Sequence, residues 1–256
     1  MNFKKYSPEW IEFWENEYLE QIFDMLSIDK IKMLNGFRTK EEIRPEWEAY
    51  LGQETSDFAV GSERIFYWLF NQFGIPNSSP IGSDMFFETY NAYIHIDIKT
   101  VTTKNIGDIT RNIFVGDNQN SYEGYINVKG KEPRFYKGNL PTIYTKRNGK
   151  QKVCLTYFIC ILYNELGEIQ MINLTCMPNG RLKNIYGDTP LSPGKNPGKI
   201  RYNYVECNKF LLLDKKSRLK IVLWNENMDS IIKKKIFHIK ELVNEEDIII
   251  DNKTNI

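Results

Sequence analysis

Two carboxylates and one amine stand close together in the middle of the chain: Asp84, then Asp97 and Lys99 within Tyr93-Ile94-His95-Ile96-Asp97-Ile98-Lys99-Thr100-Val101. The second run alternates with a period of two, which predicts a half-buried strand. Ile94, Ile96 and Ile98 then face a core, and Tyr93, His95, Asp97 and Lys99 face the other way. Upstream, residues 84–90 form another β-prone run, separated from the first by Asn91-Ala92, the length of a tight hairpin loop. With that loop as the turn, Tyr90 pairs with Tyr93, Phe86 with Asp97 and Asp84 with Lys99. Facing residues in such a ladder lie about 5 Å apart and diagonal ones about 7–8 Å. Asp84, Asp97 and Lys99 therefore share one face near the open end of one hairpin. A Mg²⁺ ion takes few protein oxygens and keeps its waters, so one ion can bridge the two carboxylates. Without a cation the paired carboxylates repel, and Lys99 balances only one of them. That is the equipment for hydrolysing a phosphodiester. The other reading is a surface cross-strand ion cluster.

A helix must precede this hairpin. Ser62 is a suitable N-cap for the run from Glu63 to Gly74, with Gly74 closing it. The run is apolar on nearly every side, which predicts burial. Glu63 falls in the first turn, where the helix dipole favours a carboxylate.

Asp84, a spacer of twelve residues, and Asp97-Ile98-Lys99 resemble the PD-(D/E)xK nuclease motif. With the flanking Ile-His-Ile and Thr-Val, the stretch is most similar to type II restriction endonucleases. Ser83 stands where the motif has proline. The resemblance spans about 40 of the 256 residues. It implies an α/β core with a mixed central sheet flanked by helices, a Mg²⁺ requirement and duplex DNA as substrate. It implies in-line attack of water on phosphorus, leaving a 5′-phosphate and a 3′-hydroxyl. Asp84, Asp97 and the Ile98 backbone carbonyl would hold the metal. Lys99 would orient the water or help to deprotonate it. Related nucleases carry a glutamate on the helix before the first motif strand, which adds Glu63 to the catalytic set. A homodimer acting on a short palindromic site is also implied, since two-fold DNA matches a two-fold protein. Repair, junction-resolving or mobile-element nucleases share the motif, and a catalytically inactive DNA-binding protein is a further alternative.

The rest of the chain bears on these expectations. A hydrophobic share of 41% and an aromatic share of 14% indicate a folded globular protein. No apolar stretch is long enough to span a bilayer and no signal-peptide pattern opens the chain, so a cytoplasmic protein without membrane contact is expected. Cys154, Cys160, Cys176 and Cys207 fit no zinc spacing and read as core thiols. With two histidines in the chain, a histidine-activated nucleophile is disfavoured, and His95 reads as a structural partner of Glu88. Net charge is only +1, but the distribution is uneven. Residues 129–152 carry Lys129, Lys131, Arg134, Lys137, Lys146, Arg147, Lys150 and Lys152 against Glu132 alone. Arg181, Lys183, Lys195, Lys199 and Arg201 follow. These predict a local basic surface for DNA, with ordinary solvated loops as the alternative. Thr102, Thr103, Lys104 and Asn105, then Asn118, Gln119 and Asn120, are side chains suited to adenine and thymine edges, although Asn is also a turn former.

The whole chain, 1–256, is expected to form a single nuclease domain. A helical N-terminal segment covers about 8–52, with an apolar-striped helix over 8–34 and a second over 40–52. These helices cover the sheet or form a dimer seam. The catalytic core covers about 55–115. A β-rich, DNA-contacting portion follows at about 125–225. In it, the apolar run 153–163 and the return 169–176 form a hairpin, and strands lie near 200–213 and 219–224. Residues 177–199, rich in Pro, Gly and Lys, read as a loop that orders on DNA. A helix at about 228–243 and a ragged tail complete 226–256.

Overall fold

Residues 3–52, 58–71, 84–195, 199–213 and 216–251 are described by a computed structural model. The first helix, α1 (Pro8–Ile28), starts where Ser7 accepts the Trp10 N–H (3.3 Å) and Pro8 takes the first helical position. It ends at Asp29, earlier than its apolar stripe predicts, and α2 (Lys30–Leu51) follows at once, closed by Gly52 in the left-handed region. Tyr18, Ile22, Phe23 and Leu26 are buried, as the stripe requires. The next helix, α3 (Phe58–Phe70), begins four residues before the predicted cap. Ser62 lies inside it and donates its hydroxyl to the Phe58 carbonyl (2.7 Å). Its burial is one-sided: Phe66, Leu69 and Phe70 are inside, while Trp68 and Tyr67 reach solvent. Gly74, the expected helix end, lies outside the described residues.

The site rests on a mixed sheet. It contains β1 (Met85–Glu88), β2 (Ala92–Thr102), β7 (Gln151–Tyr163), β8 (Ile169–Met177), β11 (Leu219–Asn225) and β12 (Ile248–Asp251), in that spatial order. A short strand, β6 (Ile143–Thr145), pairs with the start of β7. β2 runs parallel to β7, and β11 parallel to β12. The β7–β8 pair is the expected apolar hairpin. α1 packs on β7, β8 and β11, α3 packs on β2, and α2 lies against α3. β2 is thus central, and its second face is covered as well: Tyr93, His95 and Asp97 are buried alongside the isoleucines. The alternating pattern reads as half-buried, but parallel pairing inside the sheet covers both sides.

The β2-to-β7 connection carries β3 (Ile113–Val115), β4 (Glu123–Ile126) and β5 (Arg134–Lys137). β4 and β5 form a two-stranded ribbon. β3 joins β9 (Leu191–Pro193) and β10 (Ile200–Tyr202) in a small second sheet. The expected long loop at 177–199 is therefore largely structured. It holds a 3₁₀ turn at Gly180–Leu182, the short α4 (Lys183–Tyr186) and β9, with Leu182, Tyr186 and Leu191 in the core. Three apolar anchors outweigh its Pro and Gly content. The strand near 200–213 shrinks to β10 plus one bridge, Lys209–Ser217. α5 (Ser230–Lys240) forms within its predicted span, capped by Asp229. Part of the supposed tail is β12, because Ile248 and Ile250 can pair with β11. No helix among the described residues is long and apolar enough to cross a membrane.

Candidate active site

The β1–β2 hairpin turns one residue earlier than its composition suggests. Tyr90-Asn91 form the turn. The Thr89 N–H donates to the Ala92 carbonyl (2.9 Å) and the Thr89 hydroxyl accepts the Ala92 N–H (3.0 Å). Asn91 Oδ1 accepts from the Tyr18 hydroxyl on α1 (2.6 Å), which fixes the turn against the first helix. The register is Glu88 opposite Tyr93, Phe87 opposite Ile94, Phe86 opposite His95 and Met85 opposite Ile96. The expected pairs Tyr90–Tyr93, Phe86–Asp97, Asp84–Lys99 and Glu88–His95 are each displaced by two residues. A shift of two keeps side-chain parity. One step beyond the ladder, Asp84 therefore faces Asp97 itself. Ile98 lies two residues past the Met85–Ile96 pair, beyond the start of β1. Its N–H donates to Asp84 Oδ2 (2.6 Å).

Asp97 is 2% exposed. Its carboxylate pairs with the Lys99 ammonium on the same face of β2, and Oδ1 accepts from the Gln119 amide (2.6 Å). Burial pushes the Asp97 carboxyl up to about 7; Lys99 opposes the rise, while the Asp84 and Glu63 carboxylates add to it. The Glu63 field therefore reaches Asp97 from the second turn of α3. The Lys99 ammonium sits near the Phe114 and Phe158 rings, 5.7 and 5.8 Å from their centroids. Beside it opens a cleft of about 320 Å³ lined by Ile98, Lys99, Thr100, Val101, Asp108, Ile113, Phe114 and Arg201. His95 lies in the interior against Phe86, and burial holds its imidazole down at about 4, neutral near pH 7. Among the described residues, no group of three or more His, Cys, Asp or Glu side chains forms a ready metal cage. Mg²⁺ does not need one, since one or two carboxylates and water suffice. The Asp84 and Glu63 carboxylates bear on Asp97 alongside the Lys99 ammonium, an arrangement suited to a divalent cation.

The other candidate residues are scattered. Thr102 ends β2, and Thr103, Lys104 and Asn105 open the 3₁₀ segment Thr103–Asp108; Lys104 pairs with Glu165 (2.9 Å). Asn118 is exposed and accepts from Asn139 (3.0 Å). Asn120 faces inward rather than toward a ligand: it donates to Gly116 and Tyr136 and accepts from Tyr122. Gln119 is turned toward Asp97 and Lys99. Lys146 pairs with Glu88, as does the buried Lys152, whereas Arg147 and Lys199 are exposed. Lys183 pairs with Asp188. Lys195 and Arg201 both bind Asp108 at the cleft wall, and Arg201 is buried, so the basic stretch is only partly a surface. Lys146, Lys152, Lys195 and Arg201 meet carboxylates far away in sequence, which a one-dimensional charge count does not show. Phe114 was not singled out in sequence, where nothing distinguishes it from a core aromatic. The four cysteines are buried thiols.

Comparison with known proteins bears on this arrangement. Residues 9–167 match the model of the type II restriction enzyme MwoI N-terminal domain, and residues 169–224 that of the MwoI central domain. The chain belongs to the MwoI family of type II restriction enzymes. It is a type II site-specific deoxyribonuclease. Among solved structures, this MwoI-family enzyme is similar to the tetrameric restriction endonuclease SfiI bound to cognate DNA. The TM-score is 0.54 at 16% identity, covering 80% of this chain and 83% of that one. Restriction endonuclease BglI bound to its DNA recognition sequence aligns with a TM-score of 0.48 at 16% identity, over 78% of this chain and 93% of that one. No curated protein matches the chain in sequence. The likeness to SfiI extends the mixed, helix-flanked sheet to a known restriction endonuclease fold.

Proposed function

We propose that this enzyme hydrolyses both strands of duplex DNA at a short palindromic site in a Mg²⁺-dependent reaction, leaving 5′-phosphate and 3′-hydroxyl ends. Asp84, Asp97, Lys99 and Glu63 are its catalytic groups. The observation that carries this reading is Asp97: a carboxylate inside a sheet, pushed up to about 7, with Asp84 and Glu63 adding negative charge and Lys99 as its ammonium partner. Asp84, Asp97 and the Ile98 carbonyl are the groups that would hold Mg²⁺; when bound, the ion neutralises phosphate charge and acidifies the attacking water. Lys99 points its ammonium from the same face, where it orients the water and stabilises charge developing on the phosphate. Phe114 and Phe158 limit the freedom of that ammonium. Burial of β2 excludes bulk water behind Asp97, which strengthens each of these interactions.

The chain acts as one nuclease domain. DNA lies across the open end of the β1–β2 hairpin, with Thr102, Thr103, Lys104, Asn105, Asn118, Arg147, Lys195 and Lys199 as its candidate contacts. A homodimer matches a palindromic site. SfiI is tetrameric, so sedimentation of the DNA complex separates dimer from tetramer. The functional test is incubation of long mixed-sequence DNA with and without Mg²⁺. Discrete fragments that appear only with the ion, and carry 5′-phosphates, are expected. A smear, or cutting that ignores the ion, would overturn the reading.

A further inference from the structure

We infer that Gln119 is a positioning residue of this active site, acting through Asp97 and Lys99. The inference rests on the nuclease reading of the cluster and deepens it. Gln119 ends the 3₁₀ turn Asp117–Gln119 between β3 and β4. Its amide spans the catalytic pair: Nε2 donates to Asp97 Oδ1 (2.6 Å) and Oε1 accepts from Lys99 Nζ (3.1 Å). Each end meets the charge it suits, N–H₂ to carboxylate and C=O to ammonium. The same Oε1 accepts the Gly116 N–H (2.7 Å), which fixes the side chain on its own turn. A side chain at position 116 would crowd it, because a Cβ there would lie 3.2 Å from the Gln119 amide carbon.

The turn is tied to a different sheet from the strand it touches. Asn139 donates to the Asp117 carbonyl (2.7 Å), Leu140 to the Asn120 carbonyl (3.1 Å), and Asn120 to the Tyr136 hydroxyl (2.8 Å). These bonds tie the turn to the β4–β5 ribbon, whereas Asp97 and Lys99 belong to the central sheet. Gln119 is thus a polar bridge from the ribbon side to the reacting groups. The Lys99 ammonium has two acceptors, the Asp97 carboxylate and the Gln119 carbonyl. Lys99 already pairs with Asp97 Oδ2 while Gln119 takes Oδ1, so the amide sets how carboxylate and ammonium are held relative to each other. A side chain suited by type to reading adenine therefore spends both ends of its amide inside the site.

The test uses the full chain. Gln119→Met keeps length and removes both polar ends. Single-turnover cutting of long mixed-sequence DNA with Mg²⁺ should slow by about 10- to 100-fold, with DNA affinity, measured without Mg²⁺, within about three-fold. Gln119→Glu keeps the acceptor for Lys99 and Gly116 but sets a carboxylate against Asp97, and should be slowed as well. Unfolding by urea without metal gives a readout independent of cutting. Gln119→Met and Lys99→Met should shift the midpoint non-additively, because they remove one shared contact. An unchanged cutting rate, a loss confined to DNA affinity, or additive midpoints would overturn the inference while the wild type still cuts. A wild type that never cuts would sink the nuclease reading and the inference with it.

Discussion

Two clusters of buried charge lie on the same sheet, and they are built to opposite ends. Beside the start of β11, Arg218 is fully buried with Glu12 and Glu15 of α1. Every carboxylate oxygen there has a donor. Glu15 takes Arg218 (2.8 Å) and the Asn179 N–H (2.6 Å). Glu12 takes Arg218 (3.2 Å), the Tyr186 hydroxyl (2.9 Å) and the Leu212 and Leu213 N–H groups (2.9 and 3.1 Å). The guanidinium also lies over the Phe210 ring, 4.0 Å from its centroid. The Asp97 cluster has a similar ratio of charges but fewer fixed donors, and a cleft opens beside Lys99. The first cluster is closed and ties helix to sheet. The second has Lys99 half-buried at the wall of a cleft, with Asp84 half-buried beside it. What separates structure from chemistry here is the degree of satisfaction and of access, since burial is complete in the first cluster and confined to Asp97 in the second.

The comparison can be broken most sharply at Asp97. Asp97→Asn should slow cutting by at least about 10³-fold, or about 4 kcal/mol of barrier, while DNA affinity without Mg²⁺ stays near that of the wild type. Loss of affinity together with folding would place Asp97 in the structural class. Arg218→Met should do the reverse. Removing the guanidinium leaves two carboxylates buried without their cation, at a cost of about 3–5 kcal/mol in urea unfolding. A stable, slow-cutting Arg218→Met enzyme would show that the closed cluster has a catalytic role.

A subtler contrast lies in pH. The Asp97 carboxyl is raised to about 7 from an ordinary 3.8, so the folded chain favours its protonated form. Its contribution to stability is fully present below about pH 4 and is lost as pH rises through about 7. Metal-free wild type should therefore lose stability relative to Asp97→Asn over that window, on the order of 1–3 kcal/mol. Added Mg²⁺ should shrink the gap. Parallel melting-temperature profiles for the two proteins would contradict the raised Asp97 carboxyl. The smallest effect belongs to the surface. Arg147→Ala should lower the salt slope of DNA binding by about one. Lys146→Ala should lower it less, because Glu88 already holds that ammonium. Equal slopes for both variants would mean that the Lys146–Glu88 pair opens on DNA.

Much of β2 was legible because a period of two is a local property. Any fold that makes residues 93–101 a strand puts Asp97 and Lys99 on one face. Parity also protected the Asp84 expectation: the register moved by two, and the side chain stayed on its face. The turn itself was not legible. It depends on the Thr89 hydroxyl and on Asn91 bonding to Tyr18, a residue more than seventy positions away. Residues 177–195 misread for a similar reason, since Leu182, Tyr186 and Leu191 declare themselves only against a core that other segments supply.

By itself, then, the sequence determined which side chains β2 presents together, the β7–β8 hairpin, and the helices α1 and α5. These follow from periodicity and capping, which act over a few residues. Tertiary structure alone decided that Asp84 faces Asp97, that Gln119 turns inward to span Asp97 and Lys99, and that much of the basic stretch is neutralised by carboxylates. Those outcomes depend on contacts between residues from 14 to 93 positions apart, and on burial, which only the packed chain can set.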